Sequence, residues 1–203
     1  AAISACERGA RWALALELFG DVRSCQLLPS TITYNASISA CEKGSAWAQA
    51  LSLFDGMRRG AAELDVISCN SSISAFEKGR EWKRALELLS EMGRWSLRSD
   101  AISYNAAIVA CVACGELRWA RRLLDDMALH GIETDSQICG MVLAEYEQGF
   151  DVWQEAALLH RLPGVVRRGA GVGCLGAVAA LAVATRLLAS GHARDAGMVI
   201  RYA

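Results

Sequence analysis

Residues 31–65 read TITYNASISACEKGSAWAQALSLFDGMRRGAAELD, and the two stretches that follow repeat this pattern. Residues 66–100 read VISCNSSISAFEKGREWKRALELLSEMGRWSLRSD, and residues 101–135 read AISYNAAIVACVACGELRWARRLLDDMALHGIETD. The three stretches superpose without a gap at a period of 35 residues. A fixed period of this size predicts a solenoid of stacked units rather than one globular core. Function is therefore expected in residues that recur at the same place in each unit.

Each unit has the apolar spacing of two helices joined by a short turn. In residues 31–65 a first helix is predicted from apolar side chains one turn apart, and Gly44 with Ser45 ends it, because glycine is favoured at a helix C-terminus. The apolar side chains are Tyr34, Ile38 and Cys41 in the first helix, and Trp47, Ala50, Leu51, Phe54 and Met57 in the second. We expect the tryptophan to be a core residue between helices. Each hairpin must stack on its neighbours to bury its outer faces.

The same alignment divides the whole chain into repeats. Residues 1–30 form a truncated first repeat, because Ala1 aligns with Ala36, and we expect the chain to be a piece of a longer array. Residues 31–65, 66–100 and 101–135 are full repeats. Residues 136–168 form a degenerate repeat without the opening Tyr-Asn, and residues 169–203 are predicted to be an Ala- and Gly-rich helical cap.

Composition and charge set limits on the partners. The chain has 203 residues, of which 53% are hydrophobic and 21% charged, as is usual for a folded protein. Its net charge of −1 leaves no bulk basic field of the kind that nucleic-acid-binding domains often carry. The longest apolar stretch, residues 172–185, is too short and too rich in glycine and alanine for a membrane span. No membrane partner is expected.

The cysteines are predicted to pack rather than to bind metal. Cys6, Cys41 and Cys111 occupy one repeat position, and Phe76 takes that position in residues 66–100. A position that accepts either cysteine or phenylalanine is an apolar packing site. Cys111 and Cys114 form a CxxC, but no second pair of ligands follows at a suitable spacing, so no metal site is expected.

The sequence carries no signature of an enzyme. His130, His160 and His192 share no repeat position, and no GxSxG, HExxH or GxxxxGK[ST] motif occurs. Residues 171–176 spell GxGxxG, but no predicted strand precedes them, as a dinucleotide site would require. We therefore expect no enzymatic activity, no cofactor and no small-molecule substrate.

Four positions in each repeat carry the same residue type in nearly every copy and are candidates for function. They are the fifth residue (Asn35, Asn70, Asn105), the last (Asp65, Asp100, Asp135), the second (Ile32, Ile67, Ile102) and the end of the first helix (Arg8, Lys43, Lys78). Helix capping accounts for part of this recurrence, although serine or threonine would cap nearly as well. A row of amides and carboxylates flanked by isoleucine is suited to reading base edges, with bases held between apolar side chains.

These features together resemble the pentatricopeptide repeat family. The resemblance rests on the 35-residue period, the Tyr-Asn opening, the internal Cys-Glu-Lys-Gly, the Ala-Leu-x-Leu second helix with its methionine and the final aspartate. It covers residues 1–135 strongly and residues 136–163 weakly. It implies an all-α, right-handed α-solenoid that binds single-stranded RNA, one base per repeat. It also implies a role in organellar RNA processing, stability, editing or translation, in a mitochondrion or plastid.

The resemblance assigns roles to the recurring residues. In the family the fifth and last residues of a repeat select the base, and asparagine with aspartate is the uridine combination. The pairs that would read three consecutive uridines are Asn35 with Asp65, Asn70 with Asp100 and Asn105 with Asp135. The family's second residue packs against the base, which gives this role to Ile32, Ile67 and Ile102. Arg8, Lys43 and Lys78 match the position that contacts the RNA backbone, and Ala113 departs from it.

The sequence leaves three points open. The aspartates either fix the orientation of the asparagines or reach the base through water.

The expected affinity for RNA is low. Base stacking contributes about 1–3 kcal/mol per base and association costs about 4 kcal/mol or more, so binding is expected to be micromolar at best. Two alternatives to RNA binding remain. One is a protein-binding scaffold like the tetratricopeptide class, which the near-neutral charge favours, and the other is a partial array without independent activity.

Overall fold

A computed structural model describes residues 2–60 and 62–148 of the chain. All regular structure in these residues is helical. The helices are α1 (Ala2–Arg8), α2 (Trp12–Ser24), α3 (Thr31–Lys43), α4 (Trp47–Arg59), α5 (Val66–Lys78), α6 (Trp82–Arg94), α7 (Ala101–Ala113), α8 (Leu117–Leu129) and α9 (Ser136–Gln148). The end of the predicted degenerate repeat and the predicted C-terminal cap lie outside the described residues.

The chain divides into two compact units, Ala1–Cys114 and Gly115–Ala203. In the first unit the helices that open each repeat contact one another in sequence, α1 with α3, α3 with α5, and α5 with α7. The second helix of each repeat, α2, α4 or α6, packs against its own first helix and against the first helix of the next repeat. In the second unit α8 contacts α9. The first helices of unit 1 therefore form a continuous layer.

The helix starts follow from capping side chains. The first helices α3, α5 and α7 begin after Ser30, Asp65 and Asp100, each of which accepts a hydrogen bond from the backbone N–H three residues later. At Asp65 and Asp100 a serine at that third position bonds back to the cap, which completes a capping box. The capping residue therefore closes one repeat, and the first helix of the next repeat begins at the following residue.

The core repeats with the sequence. Its largest fully buried side chains are Phe76, Ile38, Met57, Ile73, Met92, Ile108, Met127 and Val142. Cys41 and Cys111 are fully buried at the position where Phe76 stands, which confirms the packing interpretation of these cysteines. One expectation needs correction: Leu51 is only half-buried, and Leu53 takes its place in the core. The reason is that Leu53, Ala50 and Met57 share one helix face at spacings of three and four.

The tryptophans that open the second helices lie between repeats. A Cβ atom built on Gly79 would lie 2.5 Å from Cδ1 and from Cγ of Trp47, and one built on Gly44 would clash with Trp12 in the same way. Both tryptophans lie between helices, as the spacing predicted, but they are half-buried and not core residues. Glycine is required at these two positions because each tryptophan ring packs against the end of the next repeat's first helix.

In the described part of the chain, no helix is both long enough and apolar enough to cross a membrane. The His, Cys, Asp and Glu side chains of the same residues form no group of three or more that could hold a metal ion.

Candidate nucleic-acid interface

The three recurring asparagines lie at one position on successive first helices. Asn35, Asn70 and Asn105 are the fifth residues of α3, α5 and α7, and all three are half-buried. Since α3 contacts α5 and α5 contacts α7, the asparagines form a row across unit 1. The structure therefore brings together residues that are 35 positions apart in the sequence.

Two of the predicted asparagine–aspartate pairs are in direct contact. Asn35 Nδ2 donates to Asp65 Oδ2 at 2.8 Å, and Asn70 Nδ2 donates to both carboxylate oxygens of Asp100 at 3.1 and 3.2 Å. An ionised carboxylate accepts hydrogen bonds and donates none, so it fixes which end of the amide faces it. Each aspartate thus holds the nitrogen of the asparagine in its own repeat and turns the asparagine Oδ1 away.

The same aspartates cap the next helix. Asp65 Oδ1 accepts from the Ser68 backbone N–H at 2.8 Å, and Asp100 Oδ1 accepts from the Ser103 backbone N–H at 3.0 Å. Capping and asparagine positioning are therefore two roles of one carboxylate. A serine or threonine cap has a single oxygen and lacks the second acceptor that reaches the asparagine.

The third residue of a repeat, Ser103, also belongs to this site, and sequence reasoning missed it. Ser103 Oγ donates to Asn70 Oδ1, which leaves that amide held at both ends. Ser68 Oγ donates instead to the Asp65 carbonyl at 2.8 Å, and Asn35 Oδ1 is buried with no hydrogen-bond partner. The signal for these serines was the Asp-x-x-Ser spacing of a capping box.

The third asparagine is placed, but its predicted partner lies in the other unit. Asn105 lies on α7 in unit 1, and its Oδ1 is buried without a hydrogen-bond partner, like that of Asn35. Asp135 is exposed just before α9 in unit 2, where its Oδ1 accepts from the Gln137 backbone N–H at 3.0 Å. The pairing of Asn105 with Asp135 stays a prediction.

The isoleucines predicted to pack against bases are exposed. Ile32, Ile67 and Ile102 expose 76%, 62% and 60% of their surface. Each is the second residue of its first helix, three positions before the asparagine, so the two side chains lie on neighbouring positions of one helix face. Exposed isoleucine at every copy of one position leaves apolar surface open to a ligand.

The cations predicted to contact the RNA backbone lie at the other end of the first helices. Lys43 Nζ lies 3.0 Å from Glu7 Oε1, and Lys78 Nζ lies 2.5 Å from Glu42 Oε1. Arg8 is exposed at the end of α1. Each lysine thus forms an ion pair with a glutamate of the preceding repeat, and their contact with RNA stays a prediction.

Sequence comparison identifies the repeats. A model described as "PPR repeat" matches residues 32–60 and 102–132, and a model described as "Pentatricopeptide repeat domain" matches residues 52–114. The chain belongs to the pentatricopeptide repeat family. The resemblance seen in the sequence is thereby confirmed. No curated protein matches this pentatricopeptide repeat chain in sequence.

Solved structures agree on the fold of this pentatricopeptide repeat chain. It matches the pentatricopeptide repeat protein PPR10 from maize with a TM-score of 0.70 at 18% identity, over 91% of this chain and 26% of that one. It matches the PPR domain of Arabidopsis thaliana protein-only RNase P 1, solved in complex with tRNA, with a TM-score of 0.74 at 15% identity, over 85% and 92%.

A further match is PPR10 in complex with an 18-nt psaJ RNA element, with a TM-score of 0.60 at 23% identity, over 72% of this chain and 22% of that one. The chain therefore spans about a quarter of the length of the PPR10 chains. The predicted all-α fold of stacked helical hairpins is confirmed by these matches.

Proposed function

We propose that this chain binds single-stranded RNA along the row of first helices, with each asparagine–aspartate pair facing one base. The observation that carries the proposal is the direct bond from Asn35 to Asp65 and from Asn70 to Asp100. A half-buried amide held by the carboxylate that closes its own repeat is a preorganised donor. Preorganised groups lose little conformational freedom on binding.

The chemistry of the amide favours uridine at each pair. One N–H of Asn35 Nδ2 is bound to Asp65, so the second N–H is left to donate to a pyrimidine carbonyl. Uracil carries a donor at N3, whereas cytosine carries an acceptor there. The Oδ1 atom of Asn35 is buried and has no partner in the protein, so the side chain must shift toward the base before Oδ1 gains a hydrogen bond from uracil N3–H. The amide therefore matches uracil and opposes cytosine.

The flanking isoleucines supply the nonpolar part of binding. A base that faces Asn70 would lie beside the exposed side chains of Ile67 and Ile102 and would cover apolar surface of both. Aliphatic stacking contributes about 1 kcal/mol per base, at the low end of measured base–side-chain stacking. Three repeats are therefore expected to bind with micromolar affinity at best, because association costs about 4 kcal/mol or more.

The proposed cellular role is the one usual for the family, in processing, stabilising, editing or translating RNA within a mitochondrion or plastid. The chain acts there by binding, and we propose no catalytic role for it. The third proposed pair, Asn105 with Asp135, extends the uridine row by one repeat. The predicted division into a truncated first repeat, three full repeats, a degenerate repeat and a cap is part of this proposal.

The test is a titration of labelled oligonucleotides that contain UUU, AAA, CCC or GGG, at low salt. The variant carries Asn35→Thr, Asn70→Thr and Asn105→Thr, and the matched control is Gln137→Thr, which removes an exposed amide elsewhere. We expect UUU to bind the native chain best, the triple variant to shift toward GGG, and the control to behave like the native chain. Equal binding of all four oligonucleotides by the native chain would contradict the proposal.

A protein-binding scaffold is the second candidate, favoured by the net charge of −1. Affinity capture from an extract before and after nuclease treatment distinguishes the scaffold from RNA binding. Partners that stay bound after the RNA is digested favour the scaffold, and partners that are lost favour RNA binding.

A further inference from the structure

Glutamate and lysine form a ladder of ion pairs across the repeats of unit 1. Lys43 Nζ lies 3.0 Å from Glu7 Oε1, and Lys78 Nζ lies 2.5 Å from Glu42 Oε1. In both pairs the lysine ends one first helix and the glutamate lies near the end of the preceding one. Lys78 also donates to the Glu42 carbonyl oxygen at 3.1 Å. We call these two ion pairs the Glu–Lys ladder.

The ladder lies on the same helix face as the asparagine row. Asn35, Ser39 and Lys43 follow one another at intervals of four residues on α3, and Ser39 Oγ donates to Glu7 Oε1 at 3.1 Å. With a rise of about 1.5 Å per residue, Lys43 lies about 12 Å along the helix from Asn35. An RNA strand whose bases meet the asparagines would therefore pass close to the ladder.

The two members of each pair differ in exposure. The lysine side chains expose 41% and 35% of their surface, while the side chains of Glu7 and Glu42 expose 27% and 17%. The carboxylates are thus the more enclosed partners, and the ammonium groups face water. A phosphate can approach the lysines, but it must come close to the carboxylates that already hold them.

The third copy of the ladder is incomplete. Ala113 stands where lysine would pair with Glu77, so this glutamate occupies the ladder position without its lysine. Burial raises the pKa of the Glu77 carboxyl above its ordinary value; Lys78 opposes this shift and Glu42 adds to it. The repeats therefore provide three glutamates at one position, Glu7 and Glu42 with a lysine of the next repeat and Glu77 without.

We propose that Glu7 and Glu42 compete with RNA phosphates for Lys43 and Lys78, and so limit the strength and salt dependence of RNA binding. This inference rests on the proposed function. Exposed ion pairs contribute little to stability, so a phosphate can displace the carboxylate. The carboxylate stays beside the lysine and repels the phosphate, which cancels much of the attraction. Sequence selection then depends on the asparagine row more than on charge.

The experiment measures the affinity of the full chain for a U-rich oligonucleotide at several salt concentrations. Glu42→Gln is compared with Glu77→Gln, because both remove one carboxylate at the same repeat position and only the first releases a lysine. We expect Glu42→Gln to raise affinity about two- to fivefold at low salt and to steepen the slope of log K against log salt by about 0.7. Glu77→Gln should leave the slope unchanged.

A double variant tests whether the lysine carries the effect. Adding Lys78→Gln to Glu42→Gln should abolish the gain in affinity, and a gain that persists would overturn the inference. Equal slopes for Glu42→Gln and Glu77→Gln would also overturn it, and the proposed function would stand if Asn35→Thr still changed base preference. If no variant binds any oligonucleotide, the proposed function and this inference both fall.

Discussion

The asparagine sites of two neighbouring repeats share their residues but differ in their hydrogen bonds. Asn35 is held by Asp65 at its nitrogen alone, and its Oδ1 atom is buried without a partner. Asn70 is held at both ends, by Asp100 and by the Ser103 hydroxyl. Identical residue pairs therefore give one amide that is bonded at both its nitrogen and its oxygen and one amide with a vacant acceptor. The comparison teaches that a repeat's selectivity also depends on a side chain outside its asparagine–aspartate pair.

The largest expected effect comes from breaking the contact that joins the two repeats. Gly79→Ala places a Cβ against Trp47 and should lower the free energy of unfolding by about 3 kcal/mol, because overpacking forces the ring or the helix to move. Urea denaturation measures the loss. Gly93→Ala on α6 is the control, since its Cβ would meet nothing within 4 Å. The prediction is wrong if both variants unfold at the same urea concentration.

The second largest effect is expected from removing the aspartate carboxylates, which should cost the two asparagine sites different amounts of stability. Asp65→Ala leaves Asn35 without its partner and removes a helix cap, so we expect a loss of about 2 kcal/mol in the free energy of unfolding. Asp100→Ala should cost about 1 kcal/mol, because Asn70 keeps its bond from Ser103. Urea denaturation of both variants measures the difference.

Asp65→Asn and Asp100→Asn are the matched controls for the carboxylates. Asparagine caps helices as well as aspartate does, but its single side-chain oxygen cannot cap and also accept from the neighbouring amide. The helix cap should therefore return in both controls, while the hydrogen bond from Asn35 or Asn70 stays lost. Equal losses in Asp65→Ala and Asp100→Ala would show that the second bond to Asn70 contributes nothing.

The serines sharpen the comparison further. Ser103→Ala removes the bond to Asn70 Oδ1 and should make the middle repeat bind its base like the repeat of Asn35, with a change of about 1 kcal/mol in discrimination of uridine from cytidine. Ser68→Ala, which touches no asparagine oxygen, is the control. Titrations with oligonucleotides that place a single cytidine at each position measure the change. A similar response to both substitutions would argue against a positioning role for Ser103.

The smallest difference is expected at the buried thiols behind the two sites. Burial raises the pKa of Cys41 and of Cys69 to about 11. Because these folded-state values lie above the ordinary value of 9.0, the stability gained from neutral thiols is present below about pH 9 and is lost as the pH rises toward about 11. At pH 8 a maleimide should label exposed Cys25 first.

Cys25→Ser is the control for that labelling, and mass spectrometry of the labelled peptides gives the rates. Cys41 and Cys69 should react slowly and at similar rates, since both are fully buried. Much faster labelling of one of them would mean that the difference between the sites extends into the core. Similar slow rates would show that the two asparagine sites differ in their hydrogen bonds and not in the core behind them.

Much of the fold could be predicted from local sequence. The helical hairpins follow from the apolar spacing, and the buried Ile38, Cys41 and Met57 were identified from it. The prediction failed for Leu51 and for the core burial of the tryptophans, because neighbouring repeats decide which side of a second helix is covered. The sequence predicts a helix end at Gly44, but the contact of this glycine with Trp12 depends on how the repeats stack.

For the site, the sequence by itself determined which residues recur at each repeat position, because a helix cap or a core position is set by residues close to it in the chain. Only the tertiary structure decided which atoms meet. Asn35 reaches Asp65 across 30 residues and Lys78 reaches Glu42 across 36, and both contacts exist because α5 stacks on α3. Ser103 reaches Asn70 Oδ1 while Ser68 leaves Asn35 Oδ1 without a partner, and the Asp-x-x-Ser spacing that both repeats share does not encode this difference in side-chain placement.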